Sequence, residues 1–417
     1  MAGGSKPIQI DASILQRYVE TLGSIGWQEE GGIVRPVYSA AWALAREQLA
    51  EWMRASGLDV RVDTVGNLFG RLRSIDDSRT ILTGSHLDTV PFGGKFDGAL
   101  GILAGLVALH ALREQEGEPR RSLEVVALCE EEGSRFPAHY WGTRGILGLI
   151  RSEELERLRD DQGMTISEAM RGVGAAGLSP ERYIEAVRRD VDVFVELHIE
   201  QGRILFDERV DLGIVQAIVG LQHQWVTVKG RADHAGTMPM DLRRDALQGA
   251  AQMAVEITRL VEQEGRPAVV TLGKWEVKPG AVNVIPDEVS FSVDVRHPEE
   301  ETKQRLVAAI RVRCDEIARE RELTVSSEIT SDILPSGMDV ALQSILASSA
   351  EACGASWRAM PSGAGHDSQE MARHVLTAML FVPSVEGRSH SAAEYTTPED
   401  AARGASVLAA ALYRLAY

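Results

Sequence analysis

The sequence predicts a two-part α/β protein. A discontinuous domain with a mixed or parallel sheet covers residues 1–212 and 330–417, and a ferredoxin-like α+β domain is inserted over residues 213–329. Three observations predict this. In the first half of the chain, strands with continuous apolar runs alternate with helical stretches, as in a sheet covered on both faces. From about residue 213 the order becomes β-α-β-β-α-β, the split βαβ of a ferredoxin-like sandwich. Beyond about residue 330 helix and strand alternate again, so the C-terminal segment completes the first domain.

Residues 11–21 and 39–56 carry apolar residues at three- and four-residue spacing, and Ser39 and Gly57 bracket the second stretch as caps would. VRVDTV, NLFGRL and TILTGSH read as short strands, and a Gly-rich turn at 93–98 enters an apolar helix reaching about residue 113. LEVVALCEEE is a strand, residues 145–190 are charged with a helical period, and VDVFVELHIEQG is again a strand. In the inserted part LGIVQAIVG and HQWVTVKG read as a strand pair. A helix at 241–264, strands AVVTLGKWEV and EVSFSVDVRH, a helix at 299–321 and strand LTVSSEIT follow.

With 44 Lys and Arg against 61 Asp and Glu, the net charge of −17 argues against a nucleic-acid partner. An apolar fraction of 44% is ample for packed cores and excludes disorder as the main state. Cys129, Cys314 and Cys353 are too few and too scattered for a disulfide framework or a thiolate zinc site, which favours a reducing compartment. MAGGSKPIQIDAS lacks the apolar region of a secretory signal, and Ala2 stands where myristoylation needs glycine. The longest apolar stretches fall short of the roughly 20 residues that span a bilayer. The expectation is a cytoplasmic protein with no membrane partner.

Four motifs carry candidate chemistry. In 84-GSHLDTVPFGGKFDG-98, His86 ends an apolar strand, where α/β folds place ligands. His86 Nε2 and Asp97 can ligate a metal, with the Asp88 carboxylate orienting the imidazole; the plain alternative is a surface turn with two solvated acids. In 129-CEEEGSRF-136 three adjacent carboxylates follow an apolar strand, where protons or cations must offset their repulsion. Glu131 and Glu132 point to opposite sides, so one can ligate a metal while the other moves protons; a solvated charge run is the alternative. His198 in FVELHIEQG and His390 in EGRSHSAAE each sit at or after a strand end, and either alone is more often a satisfied surface or core histidine. Together His86, Asp97, Glu132, His198 and His390 make a nitrogen-and-oxygen set suited to two zinc-like ions sharing one carboxylate.

In order, HLDTVPFGGKFDG, EEGSRF, ELHIEQG, ADHAGTMPM, VNVIPDEVSFSVDVRH, SGAGHD and GRSHSAAE resemble the dinuclear metal amidohydrolases related to aminoacylase and carboxypeptidase G. More narrowly they resemble the ureido branch: N-carbamoyl-L-amino-acid hydrolases, β-ureidopropionases and allantoate amidohydrolases. The resemblance runs from about residue 15 to the C-terminus, and HIEQG with GAGHD separates this branch from the peptidases. It implies a metallohydrolase catalytic domain with a lid and dimerisation insert. One divalent ion would be held by His86 and His198 and a second by Glu132 and His390, with Asp97 bridging; zinc, manganese, cobalt or nickel suits such a set. Glu131 would be the general base, taking a proton from the attacking water and returning it to the leaving nitrogen. The protein would be a homodimer in which His234 reaches the partner subunit's site to polarise the carbonyl, while Asn283 and Arg296 hold the substrate carboxylate. For these three, a capped turn or a surface charge is the plain alternative.

The loop 363-GAGHDS-368 can offer backbone N–H groups to an anion from Gly363 onward, with His366 and Asp367 in support, or it is a tight helix entry. Gln201 can meet the ureido group through its amide, or is a turn residue. The ureido enzymes often carry Gln beside the glycine matching Gly220; here Leu221 follows and Gln222 comes next, which argues mildly against allantoate. The leading expectation is hydrolysis of an N-carbamoyl-L-amino acid to the free amino acid, carbon dioxide and ammonia. Allantoate or another ureido acid, including a β-ureido acid, comes next, then an N-acyl deacylase or peptidase. A non-catalytic binding dimer comes last, because it has no need of Glu131.

Overall fold

The computed structural model describes residue 8 and residues 10–417. Residues 1–7 and 9, on which most of the N-terminal expectation rests, lie outside the described residues. The chain forms two compact units: one from the residues up to Gln216 with Met338–Met360 and His366–Tyr417, the other from Ala217–Gly337 with Pro361–Gly365.

The first unit opens with α1 (Ala12–Ser24), where the Asp11 carboxylate accepts the Ser13 N–H, and α2 (Ala40–Ala55), where Ser39 Oγ accepts the Trp42 N–H. Then come β1 (Asp59–Val62), β2 (Leu68–Leu72), β3 (Asp76–His86), α3 (Ala99–Glu116) and β4 (Arg121–Leu128). The charged stretch expected to be helical over 145–190 is instead broken into α4 (Trp141–Leu147), α5 (Glu154–Arg157), α6 (Ile166–Gly172) and a 3-10 turn at Pro180–Ala186. Gly148 ends α4 and Pro180 starts the turn, so no continuous helix can form. The unit continues with β5 (Val191–Ile199), α7 (Ile204–Glu208) and β6 (Leu212–Ile218).

The second unit contains β7 (Gly220–Lys229), α8 (Ala246–Glu264), β8 (Val269–Thr271), β9 (Trp275–Lys278), β10 (Glu288–His297), α9 (Glu300–Glu320) and β11 (Thr324–Ile333), followed by the two-residue β12 (Ser336–Gly337). After it come α10 (Val340–Ala352), β13 (Trp357–Ser362), α11 (Asp367–Met371), β14 (Leu376–Val382) and α12 (Pro398–Ala416).

The larger sheet runs β1-β2-β4-β3-β5-β14-β6, with β12 and β13 pairing β6. Its central strands β4, β3, β5 and β14 are mutually parallel, so their C-terminal ends share one edge. His86 ends β3, the Glu130–Glu132 run follows β4, His198 lies one residue from the end of β5, and His390 follows β14. That edge is where open α/β sheets bind ligands. α3 is apolar all round and buried along most of its length, packing beneath α1 and α12. The second unit's sheet runs β11-β7-β10-β8, with β9 pairing β10 beyond β8. Val226, Phe291, Val293, Met253, Ile257 and Ile310 fill the core between this sheet and helices α8 and α9.

Two strand readings change. LGIVQAIVG is not the partner of HQWVTVKG: its β6 pairs antiparallel with β14 in the larger sheet, where its mostly buried side chains find their core. AVVTLGKWEV splits into β8 and β9, each pairing β10. The division between the units therefore falls after Gln216, and the second unit extends past residue 329 because β11 runs on to Ile333. Among the described residues no helix is long and apolar enough to cross a membrane.

Candidate metal centre and active site

The parallel strand ends bring His86, Asp97, His198, Glu132 and His390 together around one carboxylate. Asp97 Oδ1 lies 3.3 Å from His86 Nε2 and 3.2 Å from His198 Nε2. Its other oxygen, Oδ2, lies 3.3 Å from His390 Nε2, which is 3.7 Å from Glu132 Oε1. The approach of α3 to β3 requires glycine at position 98. Gly98 has φ +64°, and a Cβ there would fall 2.5 Å from the His86 ring.

These residues fit two divalent ions, on the chemistry of the donors. His86 Nδ1 lies 3.0 Å from the Asp88 carbonyl and His198 Nδ1 lies 2.9 Å from the Ile199 carbonyl, so in each neutral ring the proton belongs on Nδ1. Both Nε2 acceptors then lie beside Asp97 Oδ1, His198 Nε2 also accepting the Gly98 N–H at 3.2 Å, and a proton or a cation between nitrogen and carboxylate reconciles them. Two ligands on one tetrahedral ion are separated by roughly 3.2 to 3.5 Å, the spacing found here. Four overlapping sets of donors lie within reach of an ion: His86–Asp97–His198 and Asp97–Glu132–His390, which share Asp97, together with His86–Glu131–Glu132 and Glu196–His198–His366.

The electrostatics point the same way. Burial pushes the Glu131 carboxyl well above the ordinary range; His86 opposes this, while Glu132, Asp367 and Asp88 add to it. Glu132 is pushed up to about 7, chiefly by burial. Burial would raise Asp97 too, but hydrogen bonds from His198, His390 and His86 hold it well below the usual carboxylate range. His86 is raised despite its burial, through its hydrogen bond to Asp97 and the charges of Glu131 and Asp88. Crowded acids that push up His86, His198 and His390, while buried His366 is pushed down, mark a pocket that favours added positive charge at those three rings.

The supporting shell differs from expectation in one respect. His86 meets the backbone carbonyl of Asp88, not its carboxylate. That carboxylate is used elsewhere: Oδ1 accepts the Glu131 N–H at 3.1 Å and Oδ2 the Glu132 N–H at 3.2 Å, so Asp88 fixes the turn carrying both glutamates. An imidazole and a carboxylate two residues apart on extended backbone share a face, but the chain turns immediately after β3. His366 packs edge-on against His198, with ring centroids 4.5 Å apart, and Asp367 Oδ1 accepts the Thr143 hydroxyl at 2.6 Å. Gln201 Nε2 donates to Asp97 Oδ2 at 2.9 Å, and its Oε1 is buried without a partner among the described residues. Glu130, Gln201 and His390 all adopt positive φ, a concentration of backbone strain at one site.

The second unit holds the other candidates. His234 is exposed, and its Nδ1 accepts the N–H groups of Gly236 at 3.0 Å and Thr237 at 3.3 Å. The neutral ring therefore carries its proton on Nε2, ready to donate. Asn283 is exposed beside it, joined by the Ala235 N–H to the Asn283 carbonyl at 3.1 Å. Arg296 is partly committed: Nε and Nη2 donate to Asp294 at 2.9 to 3.2 Å, and Nη1 donates to the Gly363 carbonyl at 3.0 Å. Gly363 thus uses its carbonyl towards Arg296. Gln222 is buried and donates to Asp332 Oδ2 at 3.1 Å.

Three glutamates escaped the reading of the sequence. Glu130 Oε1 accepts the N–H groups of Arg135 and Phe136 and so shapes the acidic turn from within. Glu196, fully buried on β5, accepts the hydroxyls of Ser85 and Ser368 at 2.6 Å each. Glu394 accepts the N–H groups of Phe96 and Asp97. All three lie inside motifs already singled out, Glu130 in CEEEGSRF, Glu196 in ELHIEQG and Glu394 in GRSHSAAE, but their partners are distant in sequence or hidden in the turn.

Known proteins resemble this chain in sequence and fold. The sequence profile of peptidase family M20/M25/M40 matches residues 82–414. An allantoate amidohydrolase of Escherichia coli (strain K12) is 39% identical over 405 residues, covering 95% of this chain and 96% of that protein. An N-carbamoyl-L-amino acid amidohydrolase of Geobacillus stearothermophilus is also 39% identical, over 404 residues, covering 96% and 97%. The crystal structure of a hydantoinase/carbamoylase family amidase from Burkholderia ambifaria superposes with a TM-score of 0.93 at 33% identity, covering 99% of each chain.

Proposed function

The chain belongs to peptidase family M20/M25/M40, and we propose that it is a dinuclear metal amidohydrolase that cleaves the ureido C–N bond of an N-carbamoyl-L-amino acid. The observation that carries this reading is the Asp97 carboxylate, whose two oxygens serve two separate donor groups beside the buried Glu131. His86 and His198 would hold one ion and Glu132 and His390 the other. Bound divalent ions supply Lewis acidity at the carbonyl and lower the pKa of the attacking water. Glu131 takes a proton from that water and delivers it to the leaving nitrogen, a task suited to a carboxyl whose pKa burial has raised. The unpartnered Gln201 Oε1 accepts a ureido N–H. Carbon dioxide, ammonia and the free amino acid are the products, because the carbamate released decomposes.

The second unit acts as lid and dimerisation domain in this reading. His234 of one subunit donates from Nε2 to the carbonyl in the site of the other, Asn283 and Arg296 bind the substrate carboxylate, and the Gly363 loop supports Arg296. The working form is a homodimer in the cytoplasm. Allantoate is the second reading, because a relative named for it is as similar to this chain as one named for N-carbamoyl-L-amino acids. Ammonia and free-amine release from N-carbamoyl α- and β-amino acids, allantoate and N-acetyl amino acids, with zinc, manganese, cobalt or nickel, tests the reading. Turnover of N-acetyl amino acids alone would overturn it.

Elemental analysis after saturation and buffer exchange should find two ions per subunit, since five ligands with a shared carboxylate exceed what one tetrahedral ion uses. Chelation should abolish activity and re-addition restore it. A plateau at one ion in fully active protein would refute the dinuclear assignment.

Arg296 provides a second test. Asp294 takes Nε and one Nη2 hydrogen and the Gly363 carbonyl takes one Nη1 hydrogen, so the arginine would meet the substrate through the N–H groups that remain. Arg296→Ala should lower kcat/KM on the order of 30- to 1000-fold, with Arg296→Lys intermediate, because lysine keeps the charge but not the planar fork. The loss should shrink sharply on a substrate whose carboxylate is converted to an amide. Equal losses on acid and amide would mean that Arg296 only braces the Gly363 loop.

A further inference from the structure

Two loops meet at the metal centre, and Glu394 joins them. It is buried, and its Oε1 accepts the N–H of Phe96 at 2.9 Å and of Asp97 at 3.0 Å. Its Oε2 accepts the Ser389 hydroxyl at 2.9 Å, and that hydroxyl lies 3.3 Å from Asp97 Oδ2. Ser389 immediately precedes His390, so one carboxylate ties the backbone of the bridging aspartate to the loop carrying a histidine donor. Both Glu394 oxygens are occupied by N–H or O–H donors, and Glu394 belongs to none of the ligand groups among the described residues. The loop is shaped to admit it: a Cβ on Gly94 would lie 2.2 Å from Glu394 Oε1. Phe96 also packs edge-on against Tyr395, with ring centroids 5.8 Å apart, so the next residue reinforces the join.

Burying a carboxylate beside Asp97 is costly unless its oxygens find donors, and here both do. Its two bonds to consecutive amides fix the direction in which the Asp97 side chain leaves the backbone. Its bond to Ser389 fixes the distance from that side chain to the His390 loop. His390 has the most exposed side chain of the donor set and a strained positive φ, so it depends most on such a tether. We propose that Glu394 is a positioning residue that clamps the Asp97 loop to the His390 loop and presets the Asp97–Glu132–His390 donors for their ion. This rests on the metal-centre reading above.

The test is zinc affinity of the metal-free full-length protein, measured by competition with a chromophoric chelator, alongside the thermal midpoint of each metal-free variant. Glu394→Ala should weaken the weaker of the two zinc equivalents by about 10- to 100-fold, Ser389→Ala by less, and Glu394→Gln by no more than about threefold. Glutamine rescues because its carbonyl oxygen still accepts both amides and its NH2 group can donate to Ser389 Oγ. Glu394→Ala with a lowered thermal midpoint but wild-type zinc affinity would overturn the proposal, reducing the residue to a prop. So would a glutamine variant as impaired as the alanine one, since charge rather than hydrogen bonding would then be at work. If Glu394→Ala does not fold, Ser389→Ala decides, and wild-type zinc affinity there overturns the clamp. Wild-type protein that loads zinc but hydrolyses no ureido acid would defeat the proposed activity and leave this inference standing, whereas wild type that takes up no zinc would defeat both.

Discussion

Glu131→Gln lowers kcat by about 10²- to 10⁴-fold while metal content and thermal midpoint stay close to wild type, because on the proposed assignment the change removes proton transfer and leaves the five proposed ligands in place. Both glutamates offer ligand atoms within 4.8 Å of His86 and of each other, and they differ in what else they face. Glu132 Oε1 faces His390, whereas Glu131 is buried deeper, among His86, Asp367 and Asp88. Glu132→Gln therefore weakens metal binding instead, and its activity recovers as metal is added. Metal titrations of the two variants, followed by kinetics at saturation, check the split. If Glu131→Gln lost metal and Glu132→Gln kept it, the roles would be exchanged.

His234→Ala loses on the order of 10²- to 10³-fold in kcat at full metal occupancy, the size of effect expected when a donor to developing negative charge is removed. The Nδ1 of His234 is held by two backbone N–H groups, which leaves Nε2–H as the working donor. Because the donor belongs to the neighbouring subunit in the proposed dimer, subunit mixing distinguishes this role from a structural one. A Glu131→Gln subunit paired with a His234→Ala subunit has one site with both groups intact, so the heterodimer regains up to about half of wild-type activity. Heterodimers verified by differential tags that stay as inactive as either parent would exclude donation across the interface.

Much of this protein is legible from local signals. The caps at Ser39 and Gly57, the apolar runs of β3, β4, β5 and β14, and the β-α-β-β-α-β order all reflect interactions between residues a few positions apart. Four of the five proposed metal ligands drew notice for a related reason: His86, Glu132, His198 and His390 each stand at or after a parallel strand end. Register and topology then carry those ends to one edge.

What only the tertiary structure decided depends on contacts between distant segments. The sequence could place Asp97 before a helix, but not divide its two oxygens between histidines 101 and 293 positions further on. It suggested that the Asp88 carboxylate orients His86, whereas the turn after β3 presents the carbonyl and frees the carboxylate to hold the Glu131 and Glu132 amides. It offered Arg296 as a holder of the substrate carboxylate or a surface charge, and only the fold shows its guanidinium bonded to both Asp294 and the Gly363 carbonyl. Glu394 bonds to Phe96 across 298 positions of sequence. Periodicity and capping report free energies that the backbone settles within one or two turns. Which acceptor a buried donor finds is settled only when the sheet has closed, because the low dielectric of the interior then makes every unpaired polar group costly.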